Sequence, residues 1–485
     1  MRSPRTIAGA AALVAICLPT AAHASHGADQ HSANMSLVKN LPYAANNGTT
    51  PNYGTDIEFA TLGGRQYALA GSYRNGLQIV DITKPREAQI VSRYDCGVTQ
   101  GDVQVFGRPD LPGRTFVTYT SDTYGDGTST CYREAEALGF AIKKSNGSGK
   151  NGTFVADITD PLNPVTVSFV EVPQGSHNMT VHPSGRFLYN SNSDLITSPL
   201  PAIEIYDITD FAAPRLVKEL ALPTRPGLGT ESHDITFNRG GSRAYSAALS
   251  QGVIIDSTNP GDPSVITSFV DPAINVWHQT DPVTVGDRTF LIAEDEFAGA
   301  VGTGQCPNGG VHIYDITGAN ELNPVKVGYW NIDTIGATFA PTDSCTAHVF
   351  DVHEKEQLLT IAYYNGGVRV VDLGGLAGVG LGGTSVTGDG LRQIGFYRTQ
   401  NANAWSAKTP RIQGNGDFYL YGNDIRRGLD VFRFDGEKAK PAEKGKWMPG
   451  STAYRFPALG QVLALDDDPL LQYTVAEGGP AAHDH

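Results

Sequence analysis

Short stretches of alternating apolar and polar residues recur along this chain, and each ends at an aspartate. The stretch at 76–85 reads Gly-Leu-Gln-Ile-Val-Asp-Ile-Thr-Lys-Pro, and related stretches lie at 152–161, 203–209, 252–260, 311–317 and 367–373. Alternation with a period of two predicts a half-buried β-strand, and the Asp, Thr and Pro residues that follow predict a turn. Repetition of such a unit is typical of folds in which each copy packs on its neighbours.

Each repeat contains four predicted strands. In the fourth repeat they lie at 234–237, 243–249, 252–256 and 264–270. Four antiparallel strands joined by tight, glycine-containing turns are typical of a β-propeller blade. The repeats begin near Asp56, Asp102, His177, His233, His278, His348 and Trp405. We therefore expect an all-β fold, a seven-bladed β-propeller of four-stranded antiparallel blades over residues 34–436.

The seventh repeat lacks a fourth strand of its own. Its middle strands are expected at 417–421 and 428–434, where Asp430 interrupts the apolar pattern. The N-terminal segment 36–41, Ser-Leu-Val-Lys-Asn-Leu, closely matches the outer strand of the third repeat at 215–220. We expect this segment to complete blade 7 and close the ring, because closure removes an exposed sheet edge.

The repeated stretches resemble the LVIVD-repeat family of extracellular β-propellers over nearly the whole chain. This resemblance implies the propeller fold. It implies no particular activity, because one propeller scaffold hosts binding proteins, hydrolases, lyases and metal enzymes.

The N-terminus predicts export. Arg2 and Arg5 precede an apolar run at 7–18, and Ala-His-Ala at 22–24 is a cleavage motif, so residues 1–24 are expected to be a secretory signal peptide. The apolar run is too short to cross a bilayer, and no membrane insertion is expected. We expect a secreted, extracellular monomer in which residues 437–485 form a C-terminal extension.

The net charge narrows the choice of partners. It is −14 for the chain, and it becomes −16 when the signal peptide with its two arginines is removed. An acidic exported protein is a poor partner for nucleic acids and anionic membranes. A small-molecule or carbohydrate ligand is expected instead.

Four cysteines remain after the signal peptide, and an even number in an exported protein favours disulfides. Cys96 precedes blade 2, and Cys131 lies in a long insertion of that blade. Cys306 lies in an insertion of blade 5, and Cys345 precedes blade 6. Because each pair joins neighbouring segments of one face, we expect disulfides 96–131 and 306–345.

Histidines stand at the start of the first strand in four consecutive repeats. The stretches read Ser-His-Asn at 176–178, Ser-His-Asp at 232–234, Trp-His-Gln at 277–279 and Ala-His-Val at 347–349. Because the innermost strands of a propeller line its channel, these side chains are expected to converge at the channel mouth. The same face carries the long insertions at 121–151, 194–201 and 297–310.

A metal-dependent enzyme is the leading hypothesis. Neutral imidazoles beside carboxylates bind transition metals such as copper, iron, manganese and zinc. The expected cofactor is a divalent transition metal, and the expected ligands are His177, His233, His278 and His348. His233 and His278 are also candidate catalytic residues. Carboxylates that could orient the rings are Asp56, Asp102, Asp234 and the acidic residues Glu294, Asp295 and Glu296.

Three alternatives stay open. Arg74, Arg426 and Arg427 lie in turns of blades 1 and 7, where guanidinium groups could hold a sugar carboxylate. A histidine or Tyr364 would then abstract the neighbouring proton, which describes a metal-free polysaccharide lyase or hydrolase acting on acidic sugars. A second alternative is a non-catalytic extracellular binding propeller. In the third, each histidine is structural and bonds the backbone of a neighbouring blade.

Overall fold

Seven antiparallel sheets surround a central channel. The structure is a computed structural model, which describes residues 28–44, 53–193, 201–224, 229–296, 309–332, 345–380, 390–436 and 445–449. The predicted signal peptide lies outside the described residues, as do nearly all of the insertions at 194–201 and 297–310.

The strands run in chain order from blade to blade. The N-terminal segment contributes β1 (Gln30–His31) and β2 (Met35–Leu41). Blade 1 contains β3 (Gly54–Leu62), β4 (Arg65–Ser72), β5 (Leu77–Asp81) and β6 (Gln89–Tyr94). Blade 2 contains β7 (Gln100–Gly107), β8 (Thr115–Ser121), β9 (Gly152–Asp157) and β10 (Val165–Glu171). Blade 3 contains β11 (Asn178–Val181), β12 (Phe187–Ser191), β13 (Ala202–Asp207) and β14 (Arg215–Ala221).

The remaining blades follow the same plan. Blade 4 contains β15 (Asp234–Phe237), β16 (Arg243–Ala248), β17 (Gln251–Asp256) and β18 (Ser264–Phe269). Blade 5 contains β19 (Trp277–Val285), β20 (Arg288–Asp295), β21 (Gly310–Asp315) and β22 (Val325–Ile332). Blade 6 contains β23 (His348–His353), β24 (Leu358–Ala362), β25 (Val368–Gly375) and β26 (Gly390–Arg398). Blade 7 contains β27 (Ala404–Lys408), β28 (Phe418–Asp424) and β29 (Gly428–Phe434), and β30 (Gly445–Pro449) follows.

Helical structure is sparse in the described part of the chain. The blade 2 insertion forms the helix α1 (Thr130–Ala137). Single 3₁₀ turns lie at Pro85–Glu87, Gly318–Leu322 and Leu376–Gly378. No helix among the described residues is long and apolar enough to cross a membrane.

The N-terminal strand completes blade 7, as the sequence predicts. Strand β2 pairs antiparallel with β29, from Met35 opposite Phe434 to Leu41 opposite Leu429. The seven-bladed architecture is therefore confirmed. Because the first and last parts of the propeller share one sheet, opening the ring requires breaking this pairing.

Two further strands lie outside the predicted propeller range of 34–436. Strand β1 adds a fifth strand to blade 6 by pairing with β26, and β30 adds a fifth strand to blade 5 by pairing with β22. The sequence pattern missed both, because neither segment carries the repeated stretch. The chain thus covers the outer edges of two adjacent blades with its own terminal segments.

Apolar side chains fill the spaces between neighbouring blades. The cluster between blades 5 and 6 includes the buried residues Trp330, Ile361 and Val371. The middle strands supply such residues from both faces: Val371 of β25 lies in this cluster, and Val370 lies in the cluster between blades 6 and 7. The strands nearest the axis instead present polar residues to the channel.

The described cysteines agree with the expected pairing. Cys96 and Cys131 form a disulfide, with Cα atoms 5.0 Å apart, that ties α1 to the segment preceding blade 2. Cys345 is also disulfide-bonded. Its expected partner, Cys306, lies outside the described residues, so the second pairing stays a prediction.

Candidate functional site

The central channel holds a cavity of about 320 Å³. The four histidines of the predicted column all line it, because each stands at or just before the start of an innermost strand. Seven charged residues of the same strands also line the cavity, namely Asp56, Glu58, Asp102, Asp234, Asp281, Asp351 and Lys408. The topology therefore brings one histidine from each of blades 3 to 6 to a shared wall.

The four imidazoles contact one another in sequence. Ring centroids are 4.1 Å apart for His177 and His233, 4.2 Å for His233 and His278, and 4.5 Å for His278 and His348. All four side chains are buried. The rings therefore form a continuous row in blade order, and all four line the channel cavity as the sequence predicts.

Each imidazole has an acceptor oxygen at Nδ1. The pairs are His177 with Asp122 Oδ1 (3.0 Å), His233 with the carbonyl of His278 (3.0 Å), His278 with Glu294 Oε2 (2.7 Å) and His348 with the carbonyl of Trp405 (2.6 Å). A carbonyl oxygen only accepts, so Nδ1 of His233 and His348 carries the proton. In a neutral ring Nε2 then carries the lone pair, which is the form that binds metals.

Glu296 brings a carboxylate to two of these rings. Its Oε2 lies 3.7 Å from Nε2 of His278, and its Oε1 lies 4.0 Å from Nε2 of His348. One ligand atom from each of the three residues lies within 4.8 Å of the other two, and all three residues are buried. Among the described residues, this is the group whose geometry suits a metal ion.

This group differs from the predicted ligand set. It contains His278 and His348, while His177 and His233 continue the row beside it. Its third member, Glu296, was expected only to orient a ring. The change arises because Glu296 follows the end of β20 and reaches from blade 5 to the histidine of blade 6, a contact between blades that sequence spacing does not reveal.

The other two residues of the acidic run have separate roles. Glu294 accepts the hydrogen bond from His278 and is fully buried. Burial, followed by the charge of Glu296, raises the pKa of Glu294 well above its usual range. Asp295 instead accepts hydrogen bonds from the backbone of Asn275 and Val276. Alternation along the strand therefore places Glu294 and Glu296 on the side of the histidines and turns Asp295 to the other side.

Tyr364 and Trp405 pack against the same centre. The Tyr364 hydroxyl donates to Glu296 Oε1 at 2.8 Å. The rings of Tyr364 and Trp405 each lie 4.6 Å from the ring of His348. Tyr364 has a left-handed φ of 43°, a conformation that is costly for an aromatic residue. Strain of this kind is common at functional sites.

Farther along the channel, carboxylates surround one lysine. Lys408 Nζ lies 2.9 Å from Asp56 Oδ1 and 2.8 Å from Glu58 Oε1. Burial raises the pKa of Glu58 and of Asp234 to about 7, and that of Asp281 to about 6. The channel beyond the histidines is therefore acidic, and part of its charge is already neutralised by Lys408.

The candidate arginines do not line this cavity. Arg427 forms a two-point ion pair with buried Asp430, at 2.6 and 2.8 Å. Arg74 is exposed, and its guanidinium lies over the ring of Tyr73. Arg426 is half-buried, and its backbone N–H bonds Asp424. The structure thus gives no support to the arrangement on which the metal-free lyase alternative depends.

Asp122 is a site residue that the sequence analysis missed. It stands at the start of the blade 2 insertion and contacts His177 in blade 3, with both side chains buried. Its position beside a long loop on the histidine face was the available signal. That position did not distinguish Asp122 from the other acidic residues of the loop, because only the packing of blade 2 against blade 3 shows which of them meets His177.

Comparison with known proteins supports the fold alone. No family model and no curated protein matches the chain. Among solved structures, the Pseudomonas aeruginosa periplasmic gluconolactonase PpgL is 11% identical, covers 79% of this chain and 97% of its own, and has a TM-score of 0.52. The β-propeller domain of Myceliophteria thermophila Cps50 (Swd1) is 10% identical, covers 80% and 98%, and has a TM-score of 0.49. The similarity to LVIVD-repeat proteins stays an expectation.

Proposed function

We propose that this protein is an exported, metal-dependent enzyme whose divalent transition metal is bound by His278, His348 and Glu296. The observation that carries the proposal is the buried group of two imidazoles and one carboxylate, whose ligand atoms lie within 4.8 Å of one another. Export is supported by the N-terminal signal pattern and by the Cys96–Cys131 disulfide, since disulfides persist in oxidising compartments.

The chemistry of the donor set fits this cofactor. Two histidines and one carboxylate form the protein ligand sets of several catalytic zinc sites and of non-haem iron oxygenases, which leave positions for water or substrate. Metal-bound histidines almost always donate their other N–H to a carboxylate or a backbone carbonyl. His278 and His348 do so, to Glu294 and to the Trp405 carbonyl.

The surrounding residues would prepare the site for a reaction. When bound, the metal supplies a Lewis acid that polarises a substrate oxygen. The Tyr364 hydroxyl fixes the orientation of Glu296 and is a phenol able to pass a proton. His233 lies beside His278, and its Nδ1 is held by a backbone carbonyl, which leaves Nε2 as the basic nitrogen. The substrate would be a small molecule or carbohydrate that enters at the histidine face.

Metal analysis of protein purified without an affinity tag tests the binding. The wild type should retain about one equivalent of a transition metal after dialysis. His348→Ala and Glu296→Gln should each lose it, with circular dichroism unchanged. His353→Ala is the matched control, because His353 ends the same strand at the opposite face and should leave the metal content unchanged.

Two results would contradict metal binding: wild-type protein that takes up no metal after incubation with zinc, iron, copper or manganese, or ligand variants that keep it. The enzymatic part is tested with a panel of sugar lactones, esters and uronate oligosaccharides. Turnover should be lost in His348→Ala and on treatment with a chelator. Turnover that survives both would support a metal-free reaction instead.

A further inference from the structure

A fully buried arginine, Arg369, lies in the apolar layer between blades 5 and 6. Arg369 belongs to β25, where it stands opposite Ile361 on one side and Phe396 on the other. Ile361 and Val371 both belong to the apolar cluster that joins the two blades. Paired strand residues share a face, so the Arg369 side chain points into this cluster.

Arg369 lacks a counter-charge. Its Nη1 donates to the carbonyls of Gly366 at 2.8 Å and Val368 at 2.9 Å, whereas Nε and Nη2 have no hydrogen-bond partner. Among the described residues, no carboxylate forms an ion pair with it. Burial lowers the pKa of Arg369, and the charge of Arg398, which is also fully buried, lowers it further.

Other donors of the same interface also lack acceptors. The indole N–H of Trp330, a member of the same cluster, has no partner. Gln393 stands opposite Val371 and is buried, and neither its amide nitrogen nor its amide oxygen is hydrogen-bonded. Buried polar groups are nearly always paired in folded proteins. The two unpaired N–H-bearing nitrogens of the Arg369 guanidinium are therefore the donors that an anion would satisfy.

The charge of Arg369 makes compensation necessary. Burial lowers its pKa to about 9, so the guanidinium stays protonated at neutral pH. A buried charge without a partner is strongly destabilising. Deprotonation therefore does not remove the charge of Arg369 at neutral pH. A bound anion would compensate it directly.

We propose that Arg369 binds a small monovalent anion of the halide class in the interface between blades 5 and 6. The surroundings favour a small ion. The Phe396 ring centre lies 5.2 Å from the guanidinium carbon, and an added Cβ on Gly366 would lie 2.9 Å from Tyr363 Cβ and 3.0 Å from Cys345 Sγ. An ion without bulky substituents needs the least space in a close-packed interface of this kind. The proposed anion site uses none of the proposed metal ligands.

Crystals of the wild-type protein grown or soaked in bromide test the site directly. The anomalous signal of bromide should give a peak within contact distance of Arg369 Nε or Nη2. A water molecule at that position without an anomalous peak, or tight packing with no bound species, would overturn the proposal. This measurement needs no variant, so it stays decisive if substitutions prevent folding.

Thermal unfolding gives an independent measurement. At constant ionic strength, replacing a bulky organic anion by chloride should raise the wild-type Tm by about 2 °C for each tenfold increase above the dissociation constant. Arg369→Met should abolish this dependence. Arg392→Met is the matched control, because Arg392 lies on the adjacent strand and pairs with Asp372 at 2.7 Å, and it should keep the dependence. A wild type insensitive to chloride, or equal dependence in Arg369→Met, would refute the site.

Discussion

Nδ1 of His278 lies 2.7 Å from Oε2 of Glu294, and both side chains are buried. This contact fixes the orientation of the imidazole, so that its Nε2 atom is turned toward Glu296 and His348. When a metal is bound, an ionised Glu294 would place a negative charge behind the ring, which increases the basicity of Nε2. The Glu294 carboxylate therefore acts on the proposed metal only through His278.

Replacement of Glu294 by Gln should weaken metal binding by roughly 10- to 100-fold without preventing it at saturating metal. The amide cannot ionise, so it cannot supply the negative charge that would support the imidazole when a metal is bound, while His278, His348 and Glu296 all remain. Competition with a chromophoric chelator measures the change in dissociation constant.

Glu204→Gln is the control for this experiment. Glu204 is also a buried carboxylate whose pKa is raised by burial, but it lies in blade 3 and accepts from Asn190. Equal loss of affinity in both variants would show that the effect arises from general destabilisation rather than from the contact with His278.

The pH dependence of stability should reflect the acidic channel. Burial raises the pKa of Asp281 to about 6, above an unfolded value of about 3.9. The folded state therefore binds this proton more tightly, and the stabilisation from that proton is lost as the pH rises from about 4 to 6. In metal-free protein, Asp281→Asn should flatten the fall in unfolding free energy over this range, as measured by urea denaturation.

Asp160→Asn should change the acid side of the pH profile instead, by reducing the loss of unfolding free energy as the pH falls. Hydrogen bonds from Asn163 and Leu162 lower the pKa of Asp160, so its contribution to stability is lost as the pH falls. If Asp281→Asn left the slope between pH about 4 and 6 as steep as in the wild type, Asp281 would not be the protonated group.

Closure of the ring should make the N-terminal strand important for stability. Met35 is buried in the cluster that joins blades 6 and 7. Met35→Ala should lower the unfolding free energy by about 2 to 5 kcal/mol, because it removes packing at the point where the ring closes. Denaturant unfolding measures the difference.

Ser36→Ala is the neighbouring control. Ser36 is exposed in the same strand, so its replacement should change stability by no more than about 0.5 kcal/mol. A small effect of Met35→Ala would mean that β2 contributes little to holding the ring closed.

Removal of the Cys96–Cys131 disulfide should also be costly. The bond spans a sequence separation of 35, for which loop entropy predicts a stabilisation of about 4 kcal/mol. The double variant Cys96→Ala/Cys131→Ala should show this loss in denaturant unfolding. Non-reducing peptide mapping of the wild type should find Cys306 linked to Cys345, and a link from either residue to Cys96 or Cys131 would show that the face assignment of these loops is wrong.

Much of the fold follows from local sequence. Strand alternation and turn residues are set by neighbours in the chain, so the repeats at 152–161 and 252–260 predict blades without tertiary information. The match between 36–41 and 215–220 identifies an outer strand, and because blade 7 lacks its own outer strand, this match predicts ring closure. The repeat register also predicts that His233 and His278 line one channel, because equivalent positions in equivalent blades face the axis.

The chemistry of the site was decided by tertiary structure. Glu296 joins His348, and Asp122 joins His177, only because blades pack side by side and bring together residues distant in sequence. The burial of Arg369 is equally hidden, because a polar position in an alternating strand normally faces solvent. Sequence determined this protein's periodic backbone, since hydrogen bonding and alternation are local. The packing between blades determined which polar groups meet, since such contacts depend on side-chain positions in three dimensions.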